Sequence, residues 1–275
     1  NKYILITGCS SGIGLCVARG LRDRGYRVIA TARKTEDVEM LLQEGFEACQ
    51  LDLDSRESIT GAMARVLEIT DGKLFALFNN GAYGQPGAVE DLPTEVLRQQ
   101  FETNLFGWHE LTRQVIPIMR RQGEGRIIQN SSILGFIALS FRGAYIASKY
   151  ALEGLTDTLR LELHGSGIYI SLIEPGPITS RFRENSLRKW RQTIAGNPSV
   201  HRDTYIQLES RLAMEGNATA YTLPPEAVLQ RVLHALESRR PKPRYFVTFP
   251  TYLFALLKRL LPEWMLDAAM RGLCR

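Results

Sequence analysis

The chain has 275 residues, enough for one large α/β domain or two small ones. Hydrophobic residues make up 44% of it and charged residues 23%, proportions that are ordinary for a globular protein. The formal net charge of +5 is spread along the chain, with small basic clusters at 181–191 and 239–244 and no long basic arm. This distribution argues against a nucleic-acid-binding protein, yet it suffices for the phosphates of a nucleotide.

The cysteines and histidines show no metal-binding or disulfide pattern. Cys9, Cys16, Cys49 and Cys274 contain no C-x-x-C pair. A chain of this size does not need disulfides, so we expect reduced thiols and a cytoplasmic protein. The four histidines are scattered, without an H-E-x-x-H motif, and no metal site is expected. Because the first residue falls almost directly on an apolar strand, we expect no signal peptide.

Strand patterns alternate with helix patterns along most of the chain. Short apolar runs predict buried strands, and apolar residues at spacings of three and four predict helices. This alternation predicts one Rossmann-type, doubly wound α/β domain over residues 1–275, with a parallel sheet of about seven strands. The predicted strands are Tyr3–Thr7, Arg27–Thr31, Glu47–Leu51, Leu74–Phe78, Arg126–Asn130, Ile168–Ile173 and Tyr245–Thr248. The predicted helices are Gly12–Arg24, Thr35–Glu44, one from Ser55, Thr94–Arg121, Tyr145–His164 and Pro224–Ser238.

Two stretches depart from the simple pattern. The long helical segment Thr94–Arg121 contains Pro117, which we expect to kink it or split its end. Residues 180–223 are polar, arginine-rich and only weakly helical. We expect this segment to form a substrate-binding loop or lid.

The tail, residues 250–275, is strongly apolar but interrupted by Lys258, Arg259 and Pro262. It falls short of the roughly 20 uninterrupted apolar residues that span a bilayer. Three interpretations of this helical tail stay open. It can pack over the body as a lid, form an oligomer interface, or make peripheral contact with a membrane surface.

The turn after the first strand reads T-G-C-S-S-G-I-G over residues 7–14. Glycines at these spacings allow a tight turn, close approach of the backbone to a pyrophosphate, and close packing of helix on sheet. The following helix offers free N–H groups and the positive end of its dipole to the phosphates. The motif predicts a dinucleotide site whose contacts are Gly8, Ser10, Ser11, Gly12, Ile13 and Gly14.

The end of the second strand indicates which dinucleotide binds. NAD sites usually carry an acidic residue there, whereas this chain reads A-T-A-R-K over residues 30–34. The Arg33 guanidinium can hold a 2′-phosphate through two parallel hydrogen bonds, and the hydroxyls of Ser10 and Ser11 can add donors. We therefore predict NADP(H); the alternative is that Arg33 is an ordinary surface arginine.

Tyr145 and Lys149 lie four positions apart in a predicted helix. Side chains at i and i+4 share a helix face, so the phenol and the ammonium can point into one cleft. Because a neighbouring cation favours the phenolate, we expect Lys149 to lower the pKa of Tyr145 from about 10 toward the working range. Such a tyrosine can act as a general acid and base. The alternative is a buried aromatic residue beside a surface lysine.

Together these motifs resemble those of the short-chain dehydrogenase/reductase family. The resemblance covers about residues 2–179, and the chain looks most like bacterial oxidoreductases related to hydroxysteroid and retinol dehydrogenases. The matching residues, in the family's order, are the glycine loop, Asn79, Asn80, Asn104, Ser132, Tyr145, Lys149, Pro175 and Gly176.

The resemblance implies catalytic roles. Tyr145 would give its proton to the carbonyl oxygen during reduction, and Lys149 would hold the nicotinamide ribose and lower the tyrosine pKa. Ser132 stands at the family's usual interval before the tyrosine and is chosen over Ser131; it would bind the substrate oxygen. The backbone of Asn104 would hold a water of the proton relay.

The resemblance also implies cofactor contacts. Asp52 would lie near the adenine amino group, and Asn79 would steady the sheet beside the cofactor. Where the family commonly reads N-N-A-G, residues 79–82 read N-N-G-A, so we expect mild backbone strain at Ala82. The other implied contacts are Leu53, Asn80, Gly81, Pro175, Gly176, Ile178 and Thr179, with Thr179 near the carboxamide.

The predicted function is hydride transfer between NADP(H) and a carbonyl or alcohol on an apolar substrate, such as an aldehyde, a ketosteroid or a retinoid. The alternatives are a catalytically silent NADP-binding regulatory or scaffold protein, and an extended-branch epimerase or dehydratase. Family likeness implies a homodimer or tetramer built on the helices Thr94–Arg121 and Tyr145–His164. The apolar residues that suggest the substrate, unless they only pack the lid, are Phe136, Leu139, Phe141, Phe182, Leu187 and Trp190.

Overall fold

Seven parallel strands form one sheet in the computed structural model, which describes residues 2–217 and 219–273. They are β1 (Tyr3–Ile6), β2 (Arg27–Ala32), β3 (Glu47–Gln50), β4 (Ala76–Asn79), β5 (Gly125–Asn130), β6 (Ile168–Glu174) and β7 (Arg244–Phe246). Their order across the sheet is β3-β2-β1-β4-β5-β6-β7, and every neighbouring pair is parallel. The predicted parallel sheet is confirmed. Cys274 and the end of the predicted tail lie outside the described ranges.

Helices cover both faces of this sheet, as predicted. Within the described ranges they are α1 (Gly12–Asp23), α2 (Thr35–Gln43), α3 (Arg56–Ile69), α4 (Thr94–Phe101), α5 (Gly107–Gln122), α6 (Gly143–Glu162), α7 (Phe182–Thr193), α8 (Arg202–Ala213), α9 (Glu226–Glu237), α10 (Phe249–Leu260) and α11 (Glu263–Leu273).

Side-chain alternation along the strands builds two core layers. Ile4 and Ile6 of β1 pack with α1, α2 and α9, whereas Leu5 between them packs with α3, α5 and α6 on the other face. All three side chains are fully buried, and burying each one stabilises the fold by about 1.5–3 kcal/mol. The strands read as continuous apolar runs because both faces of the sheet are covered.

The chain switches sides at the centre of the sheet. After β1 it builds β2 and β3 on one side, and then it returns to place β4 on the other side of β1. The connections on the two sides diverge at the carboxyl ends of β1 and β4. In an open α/β sheet this divergence leaves a crevice in which ligands bind.

The long helix expected over Thr94–Arg121 is interrupted, but not where its proline predicted. A wide π-helical turn, Glu102–Phe106, separates α4 from α5, while Pro117 lies exposed within α5. At the centre of this turn the Asn104 amide donates to the backbone oxygen of Tyr83 (2.9 Å) and accepts from its N–H (3.2 Å). The split expected near Pro117 is wrong, because α5 continues through the proline and the interruption lies at Asn104, whose side chain contacts a distant loop.

The segment 180–223 is more helical than its sequence suggests, since it forms α7 and α8. These helices enclose a small apolar cluster in which the buried Trp190 packs edge-on against Tyr205, with ring centres 5.9 Å apart.

The final strand ends at Phe246 rather than Thr248. Thr248 instead is the N-terminal cap residue of α10, and its hydroxyl lies 3.0 Å from that of Thr251.

The tail is anchored to the body but leaves much of its apolar surface in water. The Lys258 ammonium donates to the backbone oxygen of Phe136 (2.6 Å), and Tyr252 packs edge-on against Phe246. By contrast, Leu260 is 68% exposed and Trp264 is 70% exposed. None of the helices in the described part of the chain combines the length and the hydropathy that a membrane crossing needs.

Candidate active site

A cavity of about 400 Å³ opens at the carboxyl ends of the central strands. It lies at the crevice that the strand order predicts. The predicted site residues that line it are Gly8, Ser10, Ser11, Gly12, Ile13, Asn80, Gly81, Ser132, Tyr145, Lys149, Pro175, Gly176 and Ile178. The structure therefore brings together three of the four predicted catalytic residues and most of the predicted cofactor contacts.

A second cavity, of about 140 Å³, lies beside the first. Gly8 and Gly81 line both cavities, so the two adjoin at the glycine-rich turn. Three further predicted cofactor contacts line the second cavity: Arg33 after β2, and Asp52 and Leu53 after β3. The cleft thus extends from the Tyr145 end to the Arg33 end of the sheet.

The glycine-rich turn is packed so closely that side chains would not fit. Gly8 has a φ of +71°, and a Cβ on it would lie 2.6 Å from the Cα of Gly81. Gly14, which lies below the cavity rather than in its wall, would place a Cβ 2.1 Å from the Gly8 carbonyl oxygen. These glycines let α1 and the loop after β4 approach the turn closely.

The loop after β4 is held to the turn by hydrogen bonds. The Thr7 hydroxyl accepts from the backbone N–H groups of Asn80 (2.8 Å) and Gly81 (2.9 Å), and the Asn80 amide donates to the Thr7 carbonyl (3.0 Å). Ala82 does not have a positive φ, so the expected strain there was wrong. A Cβ on Gly81 would fit only tightly, 3.3 Å from the Gly8 nitrogen.

Asn79 faces the interior of the protein and not the cavity. Its amide donates to the Thr112 hydroxyl (3.0 Å) and to the Gln129 side chain (2.9 Å), and it is fully buried. These bonds tie β4 to β5 and α5. The position agrees with a residue that steadies the sheet behind the cleft.

Asn104 also lies behind the cavity wall. Besides its bonds to Tyr83, its amide donates to the Ser148 hydroxyl (3.3 Å), which in turn donates to the Tyr145 backbone oxygen (2.7 Å). Asn104 is thus connected to the first turns of α6, where Tyr145 lies. A π-turn of this kind frequently marks a functional site.

Ser132 and Tyr145 face each other in the cavity. The Ser132 hydroxyl accepts from the Leu134 N–H (3.1 Å) at the start of a short 3₁₀ turn. Burial raises the pKa of Tyr145 to about 12, although a hydrogen bond from Ser132 and the charge of Arg142 oppose this. The direction is opposite to the lowering expected from Lys149, because loss of water around the phenol outweighs nearby charge.

Lys149 is almost completely buried, with 1% of its surface exposed. Its ammonium donates to the Asn130 carbonyl (2.9 Å) and lies 4.1 Å from the centre of the Trp108 ring and 5.8 Å from that of Tyr145. Burial lowers its pKa to about 7, while the nearby Glu153 carboxylate opposes this. Burial thus disfavours the charged form of this lysine relative to a lysine in water.

A partly buried cluster of charges, which includes Glu153 near Lys149, lies at the carboxyl end of β6. Arg244 of β7 forms ion pairs with Glu153 (3.1 Å) and Asp157 (2.6 Å), and its guanidinium lies 3.0 Å from the Glu174 carboxyl. Burial raises the pKa of Glu174 to about 9, and the neighbouring Glu153 carboxylate adds to this shift. Sequence patterns did not reveal this cluster, because its members come from three separate elements.

The turn after β6 approaches the cavity with Pro175, Gly176 and Ile178 but not with Thr179. A Cβ on Gly176 would lie 2.1 Å from the Thr248 hydroxyl oxygen, so only glycine fits there. Thr179 is exposed, and its hydroxyl donates to the Asn217 side chain (3.2 Å). The structure therefore does not bring Thr179 to the cavity wall.

Helix α7 contributes residues that the sequence did not assign to a cofactor. Phe182 packs edge-on against Tyr145, with ring centres 5.3 Å apart, and Asn185 lines both cavities. Arg188 and Lys189, one turn further along, line the second cavity. The arginine-rich composition of this segment was the only sequence signal for these contacts.

Residues 2–191 match the family model described as short chain dehydrogenase. The chain belongs to the short-chain dehydrogenase family. The chain is 44% identical to YbbO, an oxidoreductase of Escherichia coli (strain K12) described as uncharacterized. The 272 matched residues cover 99% of this chain and 95% of YbbO. Human retinol dehydrogenase 8 is 33% identical over 255 residues, covering 87% of this chain and 79% of its own.

Solved structures show the same relationship. A short-chain dehydrogenase from Streptomyces avermitilis is 28% identical and superimposes with a TM-score of 0.77, covering 98% of this chain and 97% of that one. The protein is thus an oxidoreductase of the short-chain dehydrogenase family. Its cleft fits the nicotinamide dinucleotide that such enzymes use, since Gly8 and Gly12, both with positive φ, line the cavity at the start of α1, where free backbone N–H groups can hold a pyrophosphate.

Proposed function

We propose that this short-chain dehydrogenase is NADP(H)-dependent and interconverts a carbonyl and an alcohol on an apolar substrate. The observation that carries the proposal is the convergence of Ser132, Tyr145 and Lys149 on one cavity with the glycine-rich turn. Bound there, the dinucleotide supplies or accepts the hydride, while the protein supplies position, a proton and electrostatic stabilisation.

In this proposal Tyr145 is the general acid and base. With a pKa near 12 the phenol keeps its proton at neutral pH, so it can donate that proton to a carbonyl oxygen. The Ser132 hydroxyl, next to the phenol, would hold the same oxygen and stabilise the charge that develops on it. Lys149 would bind the ribose next to the nicotinamide, and Asn104 would support the proton relay from behind.

The preference for NADP(H) is proposed from the end of β2. This strand ends at Ala32, and Arg33 follows it into the second cavity with no carboxylate beside it in sequence. The Gln50 amide donates to the Arg33 carbonyl (2.8 Å), which holds the backbone of this turn. A guanidinium held there suits a 2′-phosphate.

The apolar substrate is proposed from the cavity wall near Tyr145. Leu139 and Phe182 line it, and the related human protein is named a retinol dehydrogenase. Other apolar residues that suggested such a substrate do not face the cavity. Phe141 packs edge-on against Tyr205, and Trp190 belongs to the same apolar cluster.

Replacing Tyr145 by Phe tests the mechanism. We expect NADPH oxidation, screened over aldehydes, ketosteroids and retinoids, to fall about 10²–10⁴-fold, because the proton donor is lost. NADPH binding, measured by calorimetry, should change little. Tyr150→Phe, an exposed position in the same helix, is the matched control. A fully active Tyr145→Phe enzyme would contradict the role of Tyr145 as proton donor.

We also propose a cytoplasmic homo-oligomer. Apolar side chains on α6 and before α5 are exposed, with Leu155 at 42%, Leu161 at 69% and Phe106 at 49%, as a helix-pairing interface requires. Cys9, Cys16 and Cys49 are free, which suits a reducing compartment. Light scattering at micromolar concentration and fractionation of the producing cells test the two parts; a monomer, or a secreted protein, would contradict them.

A further inference from the structure

Helix α7 lies along the whole cleft, from the Tyr145 end to the Arg33 end. Its first residue, Phe182, contacts Tyr145, and Asn185, one turn later, lines both cavities. Arg188 and Lys189 follow after one more turn and line the second cavity. Positions three and four apart share a helix face, so one face of α7 covers both cavities.

Three cations converge at the far end of this face. Arg33 reaches the second cavity from β2, while Arg188 and Lys189 reach it from α7. Burial is the largest cause that lowers the pKa of Lys189, and the positive charges of Arg33 and Arg188 lower it further. The three cations are therefore close enough to repel one another. Like charges that share a site repel each other, and an anion placed between them removes this cost.

The geometry of the two α7 side chains suits a phosphate. The Arg188 guanidinium donates to the Asn185 side chain (2.8 Å), and the Lys189 ammonium lies 4.7 Å from the centre of the Tyr83 ring. Two carboxylates lie near these cations. Asp52 lines the cavity, and Asp54, which accepts a hydrogen bond from the Thr103 hydroxyl, is near enough for its charge to raise the pKa of Lys189. A guanidinium and an ammonium that line the same small cavity provide several charge-assisted donors for phosphate oxygens.

We propose that Arg188 and Lys189 complete, together with Arg33, the binding site for the adenosine 2′-phosphate of the cofactor. The proposal rests on the NADP(H) preference proposed above. It places part of the cofactor specificity in the helix whose other end contacts Tyr145. Binding of the 2′-phosphate therefore holds α7 across the cleft, and a cofactor without that phosphate leaves the three cations unneutralised.

The test compares two fragments of the cofactor by calorimetry. Adenosine 2′,5′-bisphosphate carries the 2′-phosphate, and 5′-AMP lacks it. The variants are Arg33→Gln, Arg188→Gln and Lys189→Gln, with Arg191→Gln as the control. Arg191 lies on the same helix but pairs with Glu209 (2.8 Å) and does not line the cavity.

We expect Arg188→Gln and Lys189→Gln each to weaken binding of the bisphosphate about tenfold, as loss of a charge-assisted hydrogen bond does, and to leave 5′-AMP binding unchanged. Arg191→Gln should bind both fragments as the wild type does. In hydrogen exchange, the bisphosphate should protect residues 182–193 in the wild type, and this protection should be lost in both α7 variants.

Two results would overturn the proposal, and they are distinguishable. If only Arg33→Gln weakens binding of the bisphosphate, α7 takes no part, although the NADP(H) preference stands. If the wild type binds 5′-AMP as tightly as the bisphosphate, the NADP(H) preference itself fails, and this proposal fails with it.

Discussion

The Lys149 ammonium lies 4.1 Å from the centre of the Trp108 ring, and both side chains are buried. The ring face and one backbone carbonyl replace the water that a free ammonium would have. This replacement is incomplete, because burial still lowers the lysine pKa to about 7. The site therefore holds a cation at the cost of folding stability.

That cost predicts a pH dependence. The unfolded chain keeps the Lys149 proton up to about pH 10.5 and the folded chain up to about pH 7. Between these values the unfolded state binds more protons, so this group makes the free energy of unfolding rise with pH. The free energy of unfolding of wild type, minus that of Lys149→Met, should therefore rise by up to about 1.4 kcal/mol per pH unit in this window. Urea denaturation from pH 6 to pH 10 measures it; parallel curves would contradict the assignment.

Glu174 should show the opposite dependence. Burial raises its pKa from 4.5 to about 9, so between these values the folded state binds more protons than the unfolded state. Stability from this group is therefore present at low pH and is lost as pH rises toward 9. Glu174→Gln, which keeps the shape but not the charge, should flatten this decline and be more stable than wild type at pH 8. Thermal unfolding at pH 5 and pH 8 tests this, with the exposed Glu95→Gln as the control. The assignment would be refuted if Glu174→Gln lost as much stability between pH 5 and pH 8 as wild type does.

Two glycines of α1 should respond differently to alanine. At Gly14 the new Cβ would meet the Gly8 backbone at 2.1 Å, whereas at Gly20 it would meet the end of the Leu229 side chain at 2.2 Å. Backbone cannot move aside easily, but a leucine can rotate. Gly14→Ala should lose at least about 3 kcal/mol of stability and most NADPH binding. Gly20→Ala should stay within about 1 kcal/mol, helped by the better helix propensity of alanine. Equal effects in chemical denaturation would contradict this difference.

Pro117→Ala should stabilise the protein. Pro117 lies exposed inside α5, where proline removes a backbone hydrogen bond. Part of the gain is offset because alanine frees the unfolded chain, which leaves about 1–2 kcal/mol. Since the helix break lies at Asn104, turnover should not change. A loss of turnover without loss of stability would show that Pro117 positions the site after all.

Much of the cleft could be predicted because it depends on local patterns. The turn at Gly8 follows a strand and precedes a helix, and the carboxyl ends of parallel strands meet at one edge. The positions of Tyr145 and Lys149 follow from helix periodicity in the same way. No knowledge of distant contacts was needed for these residues.

The remaining features depend on contacts that sequence spacing does not encode. The π-turn at Asn104 exists because its amide meets Tyr83 and Ser148, which are distant in the chain. The pKa of Tyr145 rises because the fold removes water from it, an effect that a neighbouring lysine in the sequence did not reveal. Arg188 and Lys189 reach the cofactor cleft only because α7 crosses it.

The three tryptophans of the chain lie in three different environments. Trp108 is buried beside Lys149, Trp190 is buried against Tyr205, and Trp264 is 70% exposed in the tail. Indole emission depends on contact with water and on nearby charge, so each residue has its own fluorescence. Variants that keep one tryptophan at a time would therefore follow the site, the α7–α8 segment and the tail as separate optical signals in the same protein.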